Sequence, residues 1–338
     1  MSYDYLIISP QLFEIDGGAM GGTERQVLTV AEKLASENFN VGLVHSLTDG
    51  TDKIINNVKH LNYYRHFYAK SRVRINCNQI SYIGNTWKHY QMFNPHIKVL
   101  SPLENNSGDK NYIWLHNWTT CHEEVPRLFL SDALKNYVHD KGKKVKGDQT
   151  IHYMLPKGAD KQKPKNERGN YLFWMSAFGK GFKEALMVYI ALYDKGMKRP
   201  FYVCCPPQKQ KRDVKIFTDL IEEVNKSNYP VHFLGELNYE SVLKTLANAA
   251  CLFRVGMPQE TFGLVYLEAN NLGVPVITYE SDAAEEILTD ENNMFIRKNT
   301  TIDDIYDWTV DIEKRKTVVD LKKFDSDIII KKWAKLLK

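Results

Sequence analysis

The chain has 338 residues, with 45 basic and 41 acidic side chains, a net charge of +4 and 43% hydrophobic residues. This length suits two domains that each bury a core, and the balanced charge argues against a nucleic-acid-binding protein. The five cysteines include no C-x-x-C pair, which predicts reduced thiols and a cytoplasmic location. No apolar run approaches the roughly 20 residues of a membrane span, and the polar start does not resemble a signal peptide.

The first 46 residues predict a strand, a glycine loop, a helix and a second strand. Residues 3–10 (YDYLIISP) are β-prone, FEIDGGAMGG follows, residues 23–38 have helical spacing, and 40–46 form the next strand. Thr23 and Gln26 match a T-x-x-Q capping box at the helix start. This order is a βαβ unit, which implies a parallel sheet. Further strands are expected at 97–100, 112–116 and 126–130, and a helix at 131–142.

A change of composition indicates a domain boundary. Residues 141–169 are rich in lysine and glycine and contain two prolines. After them the pattern repeats, with a strand at 170–176, the loop FGKG and a helix. We therefore expect an α/β protein with an N-terminal Rossmann-like domain (1–160), a C-terminal Rossmann-like domain (161–325) and a terminal amphipathic helix (326–338).

The two glycine loops are candidate phosphate sites. Gly21 and Gly22 open the first predicted helix, and Lys180 lies in the loop that opens the equivalent helix of the second domain. A helix N-terminus favours anions through its unpaired N–H groups. GGAMGG is not a G-x-G-x-x-G motif followed by an acidic residue, so a dinucleotide site is not indicated. The alternative is that these glycines only turn the chain.

Two carboxylates lie in an apolar setting in MPQETFGLVYLEANNLGVPVI (257–277). Glu260 precedes a helix that Phe262, Gly263 and Leu264 are expected to start, and Glu268 lies inside it. Eight residues of helix span about 12 Å, close to the separation of hexose and ribose in a nucleotide sugar. Carboxylates accept charge-assisted hydrogen bonds from hydroxyls. The alternative is that Glu260 is a helix-start charge and Glu268 a solvated position.

These residues carry a family resemblance. ETFGLVYLE resembles the E-x7-E signature of the retaining GT-B glycosyltransferases of family 4, and EANNLGVPVITYES continues the match. Other segments resemble that family in the same order along the chain. They are GGTERQVLTVAEKLA, NYIWLHN, RLFLSDALKNY, YMLPKGAD, VHFLGELNYESVLKTLANA and IIIKKWAKLL.

The resemblance implies a GT-B fold, in which two Rossmann-like domains face a cleft and the C-terminal helix (326–338) packs back across the domains. It implies transfer of a hexose from a UDP- or GDP-sugar to a hydroxyl of a sugar or glycoconjugate, with retention and without a metal or other cofactor. The acceptor would lie against the N-terminal domain. Such an enzyme would be cytoplasmic.

The resemblance also implies individual roles. Gly21 and Gly22 would contact the donor, His116 would face the hexose, and Glu260 would bind hexose hydroxyls. The other implied donor-binding residues are Ser176, Lys180 at the diphosphate, the backbone of Phe262, Gly263 and Leu264, and Glu268 at the ribose.

Several positions depart from the family pattern. Ser176 and Ala177 stand where the family usually has Gly-Arg, so one phosphate cation is missing, and Arg254 and Lys183 are the candidates to replace it. Two other functions therefore stay open. One is a non-catalytic nucleotide-sugar-binding subunit, and the other is a GT-B nucleotide-sugar 2-epimerase.

Two further segments have ordinary explanations. HNWTTCHEE (116–124) contains potential zinc ligands but lacks a second ligand pair, so no metal site is predicted. The terminal helix is expected to pack its apolar face on the protein. Its four lysines leave peripheral contact with an anionic membrane as the alternative.

Overall fold

The computed structural model describes residues 2–12, 21–46, 50–62, 76–83, 110–115, 126–142, 144–165, 167–205, 211–256, 260–288, 292–315 and 321–337. These residues divide into two compact units. The first unit combines the described residues up to 156 with residues 322–337, and the second contains those from 157 to 321. The division lies a few residues before the expected boundary at 160, and the C-terminal segment is part of the first unit.

The first unit is built on an eight-stranded sheet with the order β3-β4-β2-β1-β5-β6-β7-β8. Its neighbouring strands are parallel except for the antiparallel pair β3 and β4. The strands are β1 (Ser2–Leu12), β2 (Val41–Ser46), β3 (Lys53–Ile55), β4 (Val58–Asn62), β5 (Asn76–Ile83), β6 (Lys110–Leu115), β7 (Arg127–Phe129) and β8 (Gln149–Thr150). The strand expected at 97–100 lies outside the described residues.

The first helix, α1 (Gly22–Ser36), starts one residue earlier than the sequence predicts. Gly21 is its N-cap and has an extended conformation. The capping box of Thr23 and Gln26 is therefore wrong, because Gln26 lies a full turn inside the helix. The buried Gln26 amide instead donates to the Met154 carbonyl oxygen at 2.5 Å and accepts from the Met154 N–H at 3.2 Å. It ties α1 to the segment that leads out of the first unit.

The C-terminal helix packs on the first unit. The other helices among the described residues of this unit are α2 (Asp132–Lys141) and α9 (Ser326–Leu337). The indole of Trp333 in α9 is fully buried, 4.9 Å from the Trp114 ring and 5.7 Å from the Tyr5 ring between centroids. The apolar face of this helix thus packs on the protein, as expected. None of the described helices is long and apolar enough to cross a membrane.

The second unit contains a parallel six-stranded sheet with the order β11-β10-β9-β12-β13-β14. Its strands are β9 (Leu172–Trp174), β10 (Phe201–Val203), β11 (Val231–Phe233), β12 (Cys251–Arg254), β13 (Val276–Tyr279) and β14 (Met294–Ile296). Its helices are α3 (Phe182–Lys195), α4 (Lys211–Asn225), α5 (Tyr239–Ala247), α6 (Leu264–Asn271), α7 (Asp282–Ile287) and α8 (Ile302–Val310).

The strand order of the second sheet changes direction between β9 and β12. From β9 the chain adds strands first on one side, through β10 and β11, and then on the other side, beginning with β12. In open α/β sheets, ligands bind outside the carboxyl ends of the strands at such a reversal. The predicted residues of the second domain follow the carboxyl ends of β9 and β12.

Candidate active site

The candidate site residues of the second unit follow the neighbouring strands β9 and β12 in the chain. The two strands pair in parallel, with Cys251 opposite Leu172. Ser176 follows β9, and its carbonyl oxygen accepts a hydrogen bond of 2.8 Å from the Trp174 indole N–H. Lys180 ends the single 3₁₀ turn that comes next. Because parallel strands end at the same edge of a sheet, these residues meet those that follow β12.

The Glu260 carboxylate is the centre of this site. Lys180 Nζ lies 3.1 Å from each of its two oxygens, and Arg254 Nη2 lies 2.9 Å from Oε1. The Glu260 side chain is 11% exposed, whereas that of Lys180 is 46% exposed. The largely buried Glu260 carboxylate therefore contacts two cations, of which Arg254 is fixed and Lys180 is mobile.

Arg254 is the fixed cation. Its side chain is 0% exposed, and its guanidinium lies over the Trp174 ring at 4.9 Å from the centroid. Arg254 Nη1 donates to the Lys180 carbonyl oxygen at 3.0 Å. The sequence suggested Arg254 only as a replacement for the missing phosphate cation. The sequence feature that indicates these contacts is the position of Arg254, a charged residue in the otherwise apolar run ACLFRV.

The helix that follows Glu260 starts as expected. α6 begins at Leu264, and its N-cap Gly263 has a φ of 88°, in the left-handed region that favours glycine. A Cβ atom at Gly263 would overlap the Tyr266 ring, and Phe262 beside it is buried. No side chain caps the start of α6, and a helix that starts in this way can present first-turn N–H groups to an anion.

Glu268 is buried inside α6, at 2% exposure. The interpretation of Glu268 as a solvated helical position is therefore wrong. The Tyr239 hydroxyl, at the start of α5, donates to Glu268 Oε1 at 2.6 Å. Sequence reasoning missed Tyr239, because nothing in the sequence relates two residues that the fold brings together from different helices.

The predicted residues of the first unit are only partly described. Gly21 and Gly22 are exposed at the N-terminus of α1, and the Glu24 carboxylate lies beside Gly21. His116 and the rest of the segment 116–124 lie outside the described residues.

Three cysteines of the second unit are buried thiols. Cys204 and Cys205 follow β10, and Cys251 begins β12. Burial raises the pKa of the Cys205 and Cys251 thiols to about 12. These two groups therefore stay protonated near neutral pH and do not act as nucleophiles.

The fold resembles solved glycosyltransferases over nearly the whole chain. Sucrose-phosphate synthase from Thermosynechococcus elongatus superposes with a TM-score of 0.72 at 13% identity, covering 98% of this chain and 97% of that protein. The Anabaena protein HepE, crystallised with UDP and glucose, gives a TM-score of 0.66 at 13% identity, covering 99% of both chains. At this level of identity the likeness establishes the architecture: the chain has the GT-B fold.

Sequence comparison finds similarity to a family within the second unit. Residues 160–316, a little under half of the chain, match the family described as "Glycosyl transferases group 1". A segment of 73 residues is 40% identical to a GDP-mannose-dependent monoacylated alpha-(1-6)-phosphatidylinositol monomannoside mannosyltransferase from Corynebacterium glutamicum. This segment covers 20% of the chain and 19% of that relative's length. The family match lies entirely within the second unit.

Proposed function

We propose that this protein transfers a hexose from a nucleotide diphosphate sugar to a hydroxyl of a sugar or glycoconjugate, with retention of anomeric configuration. One observation carries the proposal. Glu260, in contact with Lys180 and Arg254, precedes the glycine-started helix α6, and the same helix holds the buried Glu268. A carboxylate, an anion-binding helix end and a second carboxylate match, in order, a hexose, a diphosphate and a ribose.

Each group has a defined task in this reaction. Glu260 accepts hydrogen bonds from hexose hydroxyls, and Glu268, oriented by Tyr239, accepts those of the ribose. Lys180 and the N–H groups of Gly263 and Leu264 neutralise the diphosphate as it leaves. This electrostatic stabilisation is the main contribution to rate.

The remaining assignments complete the proposal. The backbones of Ser176 and Phe262 contact the donor from the second domain. Gly21, Gly22 and His116 do so from the first, beside the acceptor. The reaction uses no metal, no covalent nucleophile of the protein and no other cofactor, and it takes place in the cytoplasm.

A UDP- or GDP-sugar is the proposed donor class. Both bases are supported, because HepE was crystallised with UDP and glucose and the mannosyltransferase is GDP-mannose-dependent. UDP- and GDP-sugars are therefore the first donors to test.

A thermal-shift screen against UDP-, GDP-, ADP- and dTDP-sugars, with and without magnesium, tests the proposal. We expect a rise in Tm with one nucleotide class, unchanged by magnesium and lost in Glu268→Ala. The bound donor is then incubated with candidate acceptors to detect transfer. Absence of a shift with every donor contradicts the proposal, and binding without transfer or hydrolysis favours a non-catalytic binding subunit.

A further inference from the structure

The two cations that contact Glu260 differ in their ability to reach a ligand. Lys180 is 46% exposed and ends in an ammonium on a flexible stem, so it can turn toward a ligand. Arg254 is fully buried, and its guanidinium is fixed by the Trp174 ring, the Lys180 carbonyl oxygen and Glu260. Arg254 therefore does not itself reach a ligand, although the residue is the nearest substitute for the missing family cation.

We propose that Arg254 is a positioning residue that keeps Glu260 neutralised, so that Lys180 is released to the diphosphate of the donor. This inference rests on the proposed function, since it assigns Lys180 to the diphosphate. It explains why a strand of the sheet carries a buried arginine at all. It also explains how a site without the family's Gly-Arg pair retains enough positive charge.

The charges of the three side chains support this division of roles. Two cations face one carboxylate, so the group carries a net positive charge before any ligand binds. If Lys180 alone faced Glu260, its departure would leave a largely buried carboxylate unpaired, which is strongly unfavourable. With Arg254 in place the carboxylate stays paired when Lys180 leaves. The cost of moving Lys180 is then only the loss of a partly exposed ion pair, which is small.

The contacts of Arg254 with the Lys180 carbonyl oxygen and the Trp174 ring depend on close packing around Gly256. A Cβ atom at Gly256 would overlap the Lys180 carbonyl oxygen and would lie 2.7 Å from Arg254 Nη1 and 3.0 Å from the Trp174 ring. Only glycine leaves room there for Arg254 to reach both partners. The arginine and the glycine thus form one structural feature.

The test compares the binding of UDP and GDP, measured by isothermal titration calorimetry, in four proteins. These are the wild type, Arg254→Met, Glu260→Gln and the double variant Arg254→Met/Glu260→Gln. In Arg254→Met, Lys180 must stay on Glu260, so we expect affinity for the nucleotide to fall about ten-fold, the effect of one charged hydrogen bond. In the double variant nothing holds Lys180, so affinity should return to the wild-type value or exceed it.

Recovery in the double variant is the decisive result, because a purely structural role of Arg254 predicts no recovery. Wild-type affinity in Arg254→Met, or a double variant that binds no better than Arg254→Met, overturns the inference. If Arg254→Met does not fold, the double variant still decides. It removes the buried pair as a unit, which is often tolerated, and binding about ten-fold weaker than wild type overturns the inference.

Two further observations separate the possible failures. Arg297→Met is the matched control, because Arg297 pairs with Glu280 at 2.5 Å on the surface of the same unit, and it should bind nucleotide as the wild type does. A wild-type protein that binds neither UDP nor GDP contradicts the proposed function, and the inference about Arg254 falls with it. Binding by the wild type without an effect of Arg254→Met rejects only the inference.

Discussion

The Tyr239 hydroxyl lies 2.6 Å from Glu268 Oε1, although the two residues belong to different helices. Tyr239 is the first residue of α5, and Glu268 lies inside α6. A tyrosine O–H can donate one hydrogen bond, and the carboxylate is held in one orientation when it accepts that bond. The buried Glu268 is thus fixed before a ligand arrives. Such preorganisation reduces the entropic cost of ligand binding.

Tyr239→Phe tests this orientation. The variant removes one hydrogen bond and keeps the ring, so we expect affinity for UDP or GDP to fall about five-fold, within the range of a single neutral hydrogen bond. Titration calorimetry measures the change. Tyr229→Phe is the control, because the Tyr229 hydroxyl bonds to Asp194 at an exposed position of the same unit. An equal loss in both variants would refute a specific role of Tyr239.

Lys180→Ala should lower the rate of hexose transfer more than ten-fold, because the departing diphosphate loses its mobile cation. The Lys180 side chain is half exposed, so its loss should change Tm little. Steady-state kinetics with the donor from the thermal-shift screen measures the effect. Lys183→Ala is the control, since Lys183 is the other exposed cation near the start of α3. A loss confined to Lys183→Ala would transfer the assignment to that residue.

Glu260→Ala should abolish transfer and also destabilise the protein. The variant leaves the buried Arg254 guanidinium without its carboxylate, which costs about 3 kcal/mol, so Tm should fall while the protein remains folded at 25 °C. Circular dichroism melts and transfer assays measure the two effects. Retained transfer in a folded Glu260→Ala variant would exclude Glu260 from the site.

The buried pair His45 and His60 predicts that stability depends on pH. His45 Nε2 lies 2.9 Å from His60 Nδ1, and His45 Nδ1 donates to the Ser46 carbonyl oxygen at 3.1 Å. Burial lowers the pKa of both rings to about 4, and their mutual repulsion adds to this for His45. The nearby Glu32 opposes the shift of the His60 pKa, and Lys53 adds to it.

The sign of the effect follows from proton uptake. Between the unfolded pKa near 6.5 and the folded value of about 4, the unfolded chain binds more protons, so acid favours unfolding. We expect the contribution of these two rings to the free energy of unfolding to be constant above pH 7, to fall as the pH drops through this window, and to level off near pH 4. Urea titrations at several pH values measure it. His60→Gln should flatten the dependence, and the exposed His232→Gln should not.

Asp148→Asn should destabilise the first unit by about 3 kcal/mol, because it removes the carboxylate that pairs with a buried arginine. Asp148 accepts from Arg127 Nη2 at 2.6 Å and from His139 Nε2 at 2.9 Å, and the Arg127 side chain is fully buried. Burial alone would raise the pKa of Asp148, but these hydrogen bonds hold it below its usual value. Urea unfolding measures the loss. The exposed Asp303→Asn, which breaks an ion pair with Lys195, should cost less than about 1 kcal/mol.

Local sequence patterns predicted the strand, loop and helix that open the second unit. The strand is found as β9 (Leu172–Trp174) and the helix as α3 (Phe182–Lys195). The helix start at Phe262, Gly263 and Leu264 was also confirmed, because a glycine in the left-handed region is a local requirement. The capping box at Thr23 failed for the opposite reason. Gln26 found a partner 128 positions away in Met154, which a short motif cannot reveal.

The sequence by itself determined the alternation of strands and helices, the glycines that open helices, and the positions of Glu260 and Glu268. These features depend on neighbours within a few residues, so they are visible in the order of the amino acids. Only the tertiary structure decided what surrounds the two carboxylates. Arg254 and Lys180 on Glu260, and Tyr239 on Glu268, come from separate elements. Their meeting depends on the strand order of the sheet, which places the carboxyl ends of β9 and β12 side by side.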